Sequence, residues 1–199
     1  MPSRQQRNTS PLRTISDFKS KLTGGGARPN LFEVELAFPN AAKPANENEV
    51  LEKARFLVKA AALPASTIAQ IDVPFRGRIL KIAGDRTFET WTITVINDID
   101  FSIRSAFEKW MNIINSMEDA TGLQSPEEYQ KDATVHQLDR DGGILRSYKF
   151  WDIFPTNIST IDLSYETTDT LEEFTVEMQV QWWEAYKGTS TAAGGEDIR

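Results

Sequence analysis

Hydrophobic and polar residues alternate along most of this chain, and a period of two is typical of β-strands with one buried face. The segment LFEVELAF (31–38) has apolar residues at every second position, and TFETWTITVI (87–96) alternates Trp91, Ile93 and Val95 with threonines. The same period in EEFTVEMQVQWWEA (172–185) predicts one long strand. Strands with one buried face therefore dominate the pattern.

Other segments extend this set of strands. STIAQIDVPFRG and RILKIAG predict two strands joined at Arg76–Gly77, and ATVHQLD and ILRSYKFWDIF predict a hairpin around the turn RDGG. NISTIDLSYE (157–166) also predicts a strand. RFLVKAAALP (55–64) is ambiguous between a buried strand and a short helix, and Pro64 favours the strand.

A helical period is convincing in only one segment, DFSIRSAFEKWMNIINSME. It predicts a helix over 102–117, capped by Asp100 or Ser102, with Arg104 and Glu108 paired one turn apart. SPEEY predicts a short second helix that begins after Ser125. Eight or nine strands and one clear helix predict a mainly β fold, a β-sandwich or barrel with one flanking α-helix.

Charge divides the chain into an arm and a body. Residues 1–28 contain six Arg or Lys and one acidic residue, so their net charge is +5, while the remaining 171 residues have 16 basic and 28 acidic residues, a net charge of −12. We expect 1–28 to be a flexible basic arm, 29–187 a single domain and 188–199 a flexible tail. A polar Pro/Ala/Asn-rich segment at 39–49 predicts a further loop.

Composition excludes several classes of chemistry. The chain has no cysteine, so disulfides, thiolate metal sites and cysteine nucleophiles are absent. Its one histidine, His136, lies in an alternating segment and is better explained as a hydrogen-bonded strand residue than as a catalytic base. No apolar run reaches the ~18 residues of a membrane span, and the first residues are too polar for a secretory signal.

Two short motifs resemble chemical sites only when taken alone. AGDR (83–86) lacks the spacing of a phosphate-binding loop and is interpreted as a turn between strands. VINDID (95–100) lacks the glycine and the bidentate glutamate of a calcium loop, so a turn that caps the following helix is favoured. We therefore expect no catalytic, cofactor-binding or metal-binding residues.

Two adjacent tryptophans near the end of the chain indicate a packing surface outside the core. Trp182 and Trp183 point to opposite faces of a strand, so one of them needs cover outside the core. The cover is either a second layer within the subunit or an apolar contact with another subunit.

Two long segments carry a family resemblance: FRGRILKIAGDRTFETWTITVINDIDFSIRSAFEKWMNIIN (75–115) and SYKFWDIFPTNISTIDLSYETTDTLEEFTVEMQVQWWE (147–184). From about Phe32 to Glu184 the chain resembles the tail tube proteins of contractile-tailed, T-even-like bacteriophages. The resemblance implies a tail-tube-like fold and a non-enzymatic structural subunit without a cofactor. It implies hexameric rings that stack into a tube inside a contractile sheath and conduct viral DNA into the host.

This resemblance gives roles to the polar residues. Candidates to face the lumen are Asp162, Ser164, Thr175, Glu177, Gln179 and Gln181. Candidates for contacts between rings are Arg4, Arg7, Arg13, Lys19, Lys21, Lys43, Glu47 and Glu49. Candidates on the outer face of the helix, toward the sheath, are Arg104, Glu108, Lys109 and Asn112.

The implied partners are other copies of the chain, the tail sheath protein, the baseplate and tail terminator proteins, and DNA in transit. The implied location is the virion tail, after assembly in the host cytoplasm. Two alternatives stay open: a needle or tube subunit of a bacteriocin-like or type VI-like contractile injection system, and a β-barrel that binds nucleic acid through the basic arm. The acidic body argues against the second, because it repels phosphate.

Overall fold

The computed structural model describes residues 14–198. Its helices are α1 (Ile15–Lys21), α2 (Glu47–Leu57), α3 (Ser102–Ile114) and α4 (Pro126–Tyr129), with 3₁₀ turns at Thr23–Gly25 and Asn40–Ala42. Its strands are β1 (Phe32–Glu35), β2 (Val58–Ala61), β3 (Ser66–Phe75), β4 (Arg78–Phe88), β5 (Trp91–Ile96), β6 (Lys131–Leu138), β7 (Ile144–Ile158), β8 (Glu173–Gln179) and β9 (Trp182–Lys187).

Seven of these strands form one antiparallel sheet in the order β1-β6-β7-β8-β5-β2, with β9 also paired to β7. The long strand β7 belongs to both halves of this sheet: its first part pairs with β6 and β9, and its last part, from Phe154, pairs with β8. Asp152 has a φ of 54° between the two parts. Such a bend lets one strand pass from one layer of a sandwich to the other.

The core lies between the two halves of the sheet. β5 contributes Trp91, Ile93 and Val95, all buried as their alternation predicts. The ring of Trp91 stacks on that of Phe150 from β7, with ring centroids 4.3 Å apart. This contact joins the two layers, so the predicted mainly β sandwich is confirmed.

Helix α3 is the predicted flanking helix. Its residues Ile103, Phe107 and Trp110 are buried, and the Trp110 indole N–H donates to the Tyr129 carbonyl at 2.7 Å. The helix ends at Ile114 rather than at 117, and Met117 is exposed. The cap prediction was wrong, because the N-cap residue is Phe101, which has a φ of 52° and makes no side-chain capping bond. The Ser102 N–H nevertheless donates to Asp100 Oδ1 at 3.1 Å.

Helix α4 follows Ser125 and has Pro126 at its first position, as predicted, although the Ser125 side chain makes no capping hydrogen bond.

Helix α2 was not predicted. It begins within the segment expected to be a polar loop and continues through the first residues of the expected 55–64 strand, which is reduced to β2. Acidic residues in its first turn and Arg55 in its last turn complement the helix dipole. The Lys53 ammonium also contacts Asp98 at 3.1 Å and Asp100, which attaches α2 to the start of α3.

The segment AGDR is not a turn between strands, because Gly84, Asp85 and Arg86 all lie inside β4. The β3–β4 register shifts there, so that two residues of β4 stand opposite one residue of β3. A Cβ at Gly84 would lie 3.0 Å from the Ala69 carbonyl oxygen, which explains the glycine at this bulge.

Two strand predictions near the end of the chain were wrong. Residues 159–172 are irregular, because serine and threonine groups make local turns such as the one in which the Glu166 N–H donates to Ser164 Oγ at 3.2 Å. The single strand expected over 172–185 is divided into β8 and β9 by a bend at Val180–Gln181.

The ends of the described chain carry structure that was not expected. Thr14 caps α1 through Asp17, although every α1 residue is exposed. The last residues fold back on β9, where Ala185 and Ile198 exchange two backbone hydrogen bonds. The flexibility of 1–28 and of 188–199 stays a prediction, as does the single domain over 29–187.

Candidate functional site

The β3–β4 hairpin (66–88) is exposed along most of its length and forms a two-stranded sheet of its own. Among the described residues, β3 pairs with no strand other than β4, and each residue from 67 to 83 is exposed. The hairpin turns at Arg76–Gly77, as predicted, and both residues have positive φ (46° and 81°), as in a type I′ turn.

One face of the hairpin is apolar, and we call it the hairpin face. Cross-strand neighbours Ile71 and Ile82, and likewise Val73 and Leu80, share this face. Its apolar residues are 40% to 66% exposed: Ile71, Val73, Phe75, Leu80 and Ile82. An exposed apolar surface of this kind is typical of an interface between proteins, because its contact with water is unfavourable in a free monomer.

The sequence pattern predicted both strands but not the exposure of the hairpin face. The signal was an apolar alternation over Ile71, Val73 and Phe75 flanked by Arg76 and Arg78 at the turn. A buried strand has the same alternation, so the pattern alone did not indicate exposure.

Three lumen candidates are brought together on one strand. Thr175, Glu177 and Gln179 alternate with the buried residues of β8 and so lie on its outer face. Thr92 and Thr94 of β5 are their cross-strand neighbours, so the surface is rich in hydroxyl groups. Gln181 lies exposed in the bend before β9.

Asp162 and Ser164 lie elsewhere, in the irregular and exposed segment 159–172 that follows β7. They are not part of the β8 surface.

The candidates for contacts between rings fall into three groups. Arg4, Arg7 and Arg13 lie outside the described residues, and Lys19 and Lys21 are exposed on α1.

The third group makes ion pairs within the chain: Lys43 with Glu47 at 2.9 Å, and Glu49 with Lys53 at 3.5 Å. These pairs help hold α2 and are less available to a partner.

Of the four α3 candidates, Glu108, Lys109 and Asn112 are exposed. Arg104 is different: its guanidinium contacts Glu108 at 2.8 Å, lies over the Phe174 ring at 5.3 Å, and donates to the Ser159 carbonyl. Arg104 therefore packs on its own domain, and a surface directed outward is formed by the other three.

Adjacent Trp182 and Trp183 divide between two faces as expected. Trp183 faces the core side, while the exposed Trp182 stacks on Trp151 with ring centroids 5.8 Å apart. Lys149 Nζ lies 3.3 Å from the centroid of the Trp151 ring. The Trp182 ring is thus partly covered by Trp151 of the paired strand β7 within the same subunit.

His136 occupies a hydrogen-bonded position in β6, where its Nδ1 lies 2.7 Å from Ser147 Oγ and its Nε2 lies 3.6 Å from Glu35. Within residues 14–198 no group of three His, Asp or Glu side chains is arranged to hold a metal ion. No helix in that range is long and apolar enough to cross a membrane.

The VINDID segment has a structural task. A hydrogen bond from the Lys53 ammonium and one from the Ser102 N–H lower the pKa of Asp100 to about 2. Asp100 therefore stays ionised while it connects α2 to the start of α3.

The chain is similar in sequence to phage tail tube proteins. The sequence model of the phage tail tube protein family matches residues 27–186. The tail tube protein gp19 of Enterobacteria phage T4 is 32% identical over 163 residues, which cover 81% of this chain and 93% of gp19. The tail tube protein of Serratia phage KSP90 is 26% identical, with coverage of 84% and 94%.

Solved structures share the fold at low sequence identity. A chain of the anti-feeding prophage baseplate has a TM-score of 0.58 at 13% identity and covers 80% of this chain and 95% of its own. A chain of an extracellular contractile injection system, in a sheath–tube complex in the extended state, has a TM-score of 0.55 at 13% identity, with coverage of 86% and 97%. By its sequence, this chain belongs to the phage tail tube protein family, as a structural tube subunit.

Proposed function

We propose that this chain forms hexameric rings that stack into the tube of a contractile phage tail. The observation that carries the proposal is the hairpin face. Its apolar side chains stay exposed to solvent in the described part of the subunit. A neighbouring copy would bury this face, and the hydrophobic effect would then favour assembly by about 25 cal/mol for each Å² removed from water.

The tube would be enclosed by a sheath and conduct DNA. An acidic body supports this role, because a wall that attracts phosphate would retain DNA rather than let it pass. The outer surface of β8, with Thr175, Glu177 and Gln179, is the best candidate for the lumen because it has hydroxyl, amide and carboxylate groups and no basic residue among these three.

Glu108, Lys109 and Asn112 on α3 are the candidate contact with the sheath, and the rings at either end of the tube would meet baseplate and terminator proteins. The protein would act without catalysis, in the virion tail, after assembly in the host cytoplasm. A tube subunit of a contractile injection system is the second candidate, supported by the shared fold of the solved sheath–tube complex.

Sedimentation and negative-stain electron microscopy of the purified protein test this proposal. We expect rings or hollow tubes whose amount rises with protein concentration. Leu80→Glu should abolish them, because it places a charge in the hairpin face, whereas Met117→Glu, an exposed apolar position after α3, should not. A wild-type protein that stays monomeric at all concentrations contradicts the proposal.

Measuring the affinity of the purified protein for DNA at several salt concentrations distinguishes a tube subunit from a β-barrel that binds nucleic acid through the basic arm. Strong binding that weakens steeply with salt would favour that alternative, because such a slope reports contacts with phosphates.

A further inference from the structure

We propose that the hairpin face of one copy is covered by segment 159–172 of the next copy, in a head-to-tail contact. We call this segment the acidic loop. The inference rests on the proposed function, because it names the part of a neighbouring subunit that covers the surface on which assembly depends.

The charge of the hairpin is opposite to that of the whole chain. Residues 66–88 include four basic and two acidic residues, a net charge of +2 in a protein whose net charge is −7. Within residues 14–198, Arg76, Arg78 and Arg86 make no salt bridge. The hairpin therefore presents apolar side chains beside unpaired positive charge, so its partner should be both apolar and acidic.

The acidic loop has both properties. It contains four acidic residues and no basic residue, a net charge of −4. Its apolar side chains Leu163, Tyr165 and Leu171 are all more than 70% exposed. None of these three side chains belongs to the described core or packs against it, so they are available to a neighbouring copy.

The two surfaces leave the body at opposite ends of β5. The base of the hairpin adjoins the start of β5, where the Glu89 N–H donates to the Ala65 carbonyl and the Trp91 indole donates to the Ala62 carbonyl. The acidic loop joins β8 beside the end of β5, where the Asn97 N–H donates to the Glu172 carbonyl at 2.8 Å.

β5 has six residues, so the two bases are roughly 20 Å apart. A two-fold dimer would join each hairpin to the loop of the other copy and close there, whereas in the proposed contact the hairpin and the loop of one copy meet two different neighbours. They form a heterologous contact, which repeats from copy to copy and produces rings or filaments.

Cysteine cross-linking tests the contact directly, because the chain has no cysteine of its own. One variant carries Leu80→Cys and another Leu163→Cys, and the two are mixed, assembled and oxidised. We expect a disulfide-linked dimer in the mixture and none from either variant alone. A chain with both substitutions should give a ladder of longer oligomers.

The matched control replaces Leu163→Cys with Met117→Cys, which is similarly exposed. Assembly without a disulfide between positions 80 and 163, or with one no more abundant than that between positions 80 and 117, overturns the proposed contact while leaving the tube intact. A dimer from Leu80→Cys alone would show that two hairpins cover each other, which also overturns it. A wild-type protein that forms no rings or tubes would instead overturn the proposed function.

Charge reversal provides a second readout if the cysteine variants fail to assemble. Arg76→Glu with Arg78→Glu should raise the protein concentration needed for assembly about tenfold or more, because like charges across an interface are costly. Asp162→Lys with Glu166→Lys should do the same, and the combination of all four should restore assembly toward the wild type. Equal or greater impairment in the combined variant would contradict the pairing.

Discussion

At the scale of single residues, the stability of the body depends on the inward side chains of β5. Ile93 is completely buried and lies opposite Val176 of β8. On the same strand, Trp91 stacks on Phe150 across the sandwich. Side chains in such a close-packed layer lose both dispersion contacts and hydrophobic burial when they are truncated.

Ile93→Ala should therefore lower the free energy of unfolding by about 2–5 kcal/mol. Urea denaturation of the unassembled subunit, monitored by tryptophan fluorescence, measures the change. Thr94→Ala on the outer face of the same strand is the control, and its effect should stay below about 1 kcal/mol. Equal losses in the two variants would contradict the assignment of the β5 faces.

Asp139 organises the turn between β6 and β7. Its carboxylate accepts hydrogen bonds from the Ser190 hydroxyl and from the Gly143 N–H, and these lower its pKa below 3.8. Because the folded-state pKa is lower than that of the unfolded chain, Asp139 stabilises the fold above pH 3.8 and this contribution is lost as the pH falls through the folded value.

Asp139→Asn should consequently unfold at a lower temperature than the wild type at pH 7, and the difference should shrink as the pH falls below 3.8. Thermal melts across this range measure it. Asp141→Asn is the control, because Asp141 lies in the same turn but makes only a backbone contact with Asp139. A difference that grows toward low pH would contradict the direction of the pKa shift.

Alternation predicted the buried residues of β5 because a strand with one dry face must repeat every two residues. It did not distinguish β5 from β3, since Ile71 and Val73 alternate just as Ile93 and Val95 do. Whether an apolar face is covered depends on strands far away in sequence, and within residues 14–198 no further strand covers β3.

At the scale of elements, the hairpin is separate from the core. Its strands pair only with each other in the described structure, and none of the core residues lies between 66 and 88. Folding of the body should therefore not depend on the length of the hairpin.

Replacement of residues 71–82 by Asn-Gly should leave the body as stable as before, since this dipeptide forms the tight turn that would then connect Gln70 to Ala83. Circular dichroism and urea denaturation of the monomer check the stability, and electron microscopy checks assembly, which should be lost. A variant that unfolds would show that the hairpin is part of the cooperative core, and one that still forms tubes would remove the hairpin from the interface.

Helix α2 and the acidic loop show where prediction of elements failed. The apolar residues Val50, Ala54 and Leu57 have helical spacing, but the polar residues before them favoured a loop. In 159–172 the β-branched residues predicted a strand, but no neighbouring strand among the described residues is there to pair with it. Whether such a segment becomes a strand depends on hydrogen bonds to residues distant in the chain, and a single sequence does not show those partners.

At the scale of the whole molecule, negative charge on the body is expected to keep DNA from adhering to the tube wall. Glu177→Lys tests whether the β8 surface faces the lumen. Virions with this change should eject DNA more slowly, because a lysine would be repeated around the bore and attract phosphate.

Ejection kinetics measured by dye fluorescence give the result, with Glu118→Lys, exposed after α3, as the control for the same change in charge. Unchanged ejection in Glu177→Lys would count against a position in the lumen.

Removal of residues 1–24 tests whether the basic arm forms contacts between stacked rings. The truncated subunit should stay folded, because the core begins at Val34, but it should form shorter tubes if the arm links neighbouring rings. Tube lengths measured by electron microscopy provide the test, and tubes of normal length would remove the arm from the contact between rings.

A cryo-EM reconstruction of the particles formed by the purified wild-type protein would show whether the hairpin face is buried between copies. We expect a hollow tube of stacked rings in which each 66–88 hairpin lies against another copy, with Ile71, Leu80 and their neighbours on the hairpin face removed from solvent. Particles that are only monomers would rule out assembly of the subunit into a tube, and a tube whose hairpin faces remain open to solvent would rule out the hairpin as the interface.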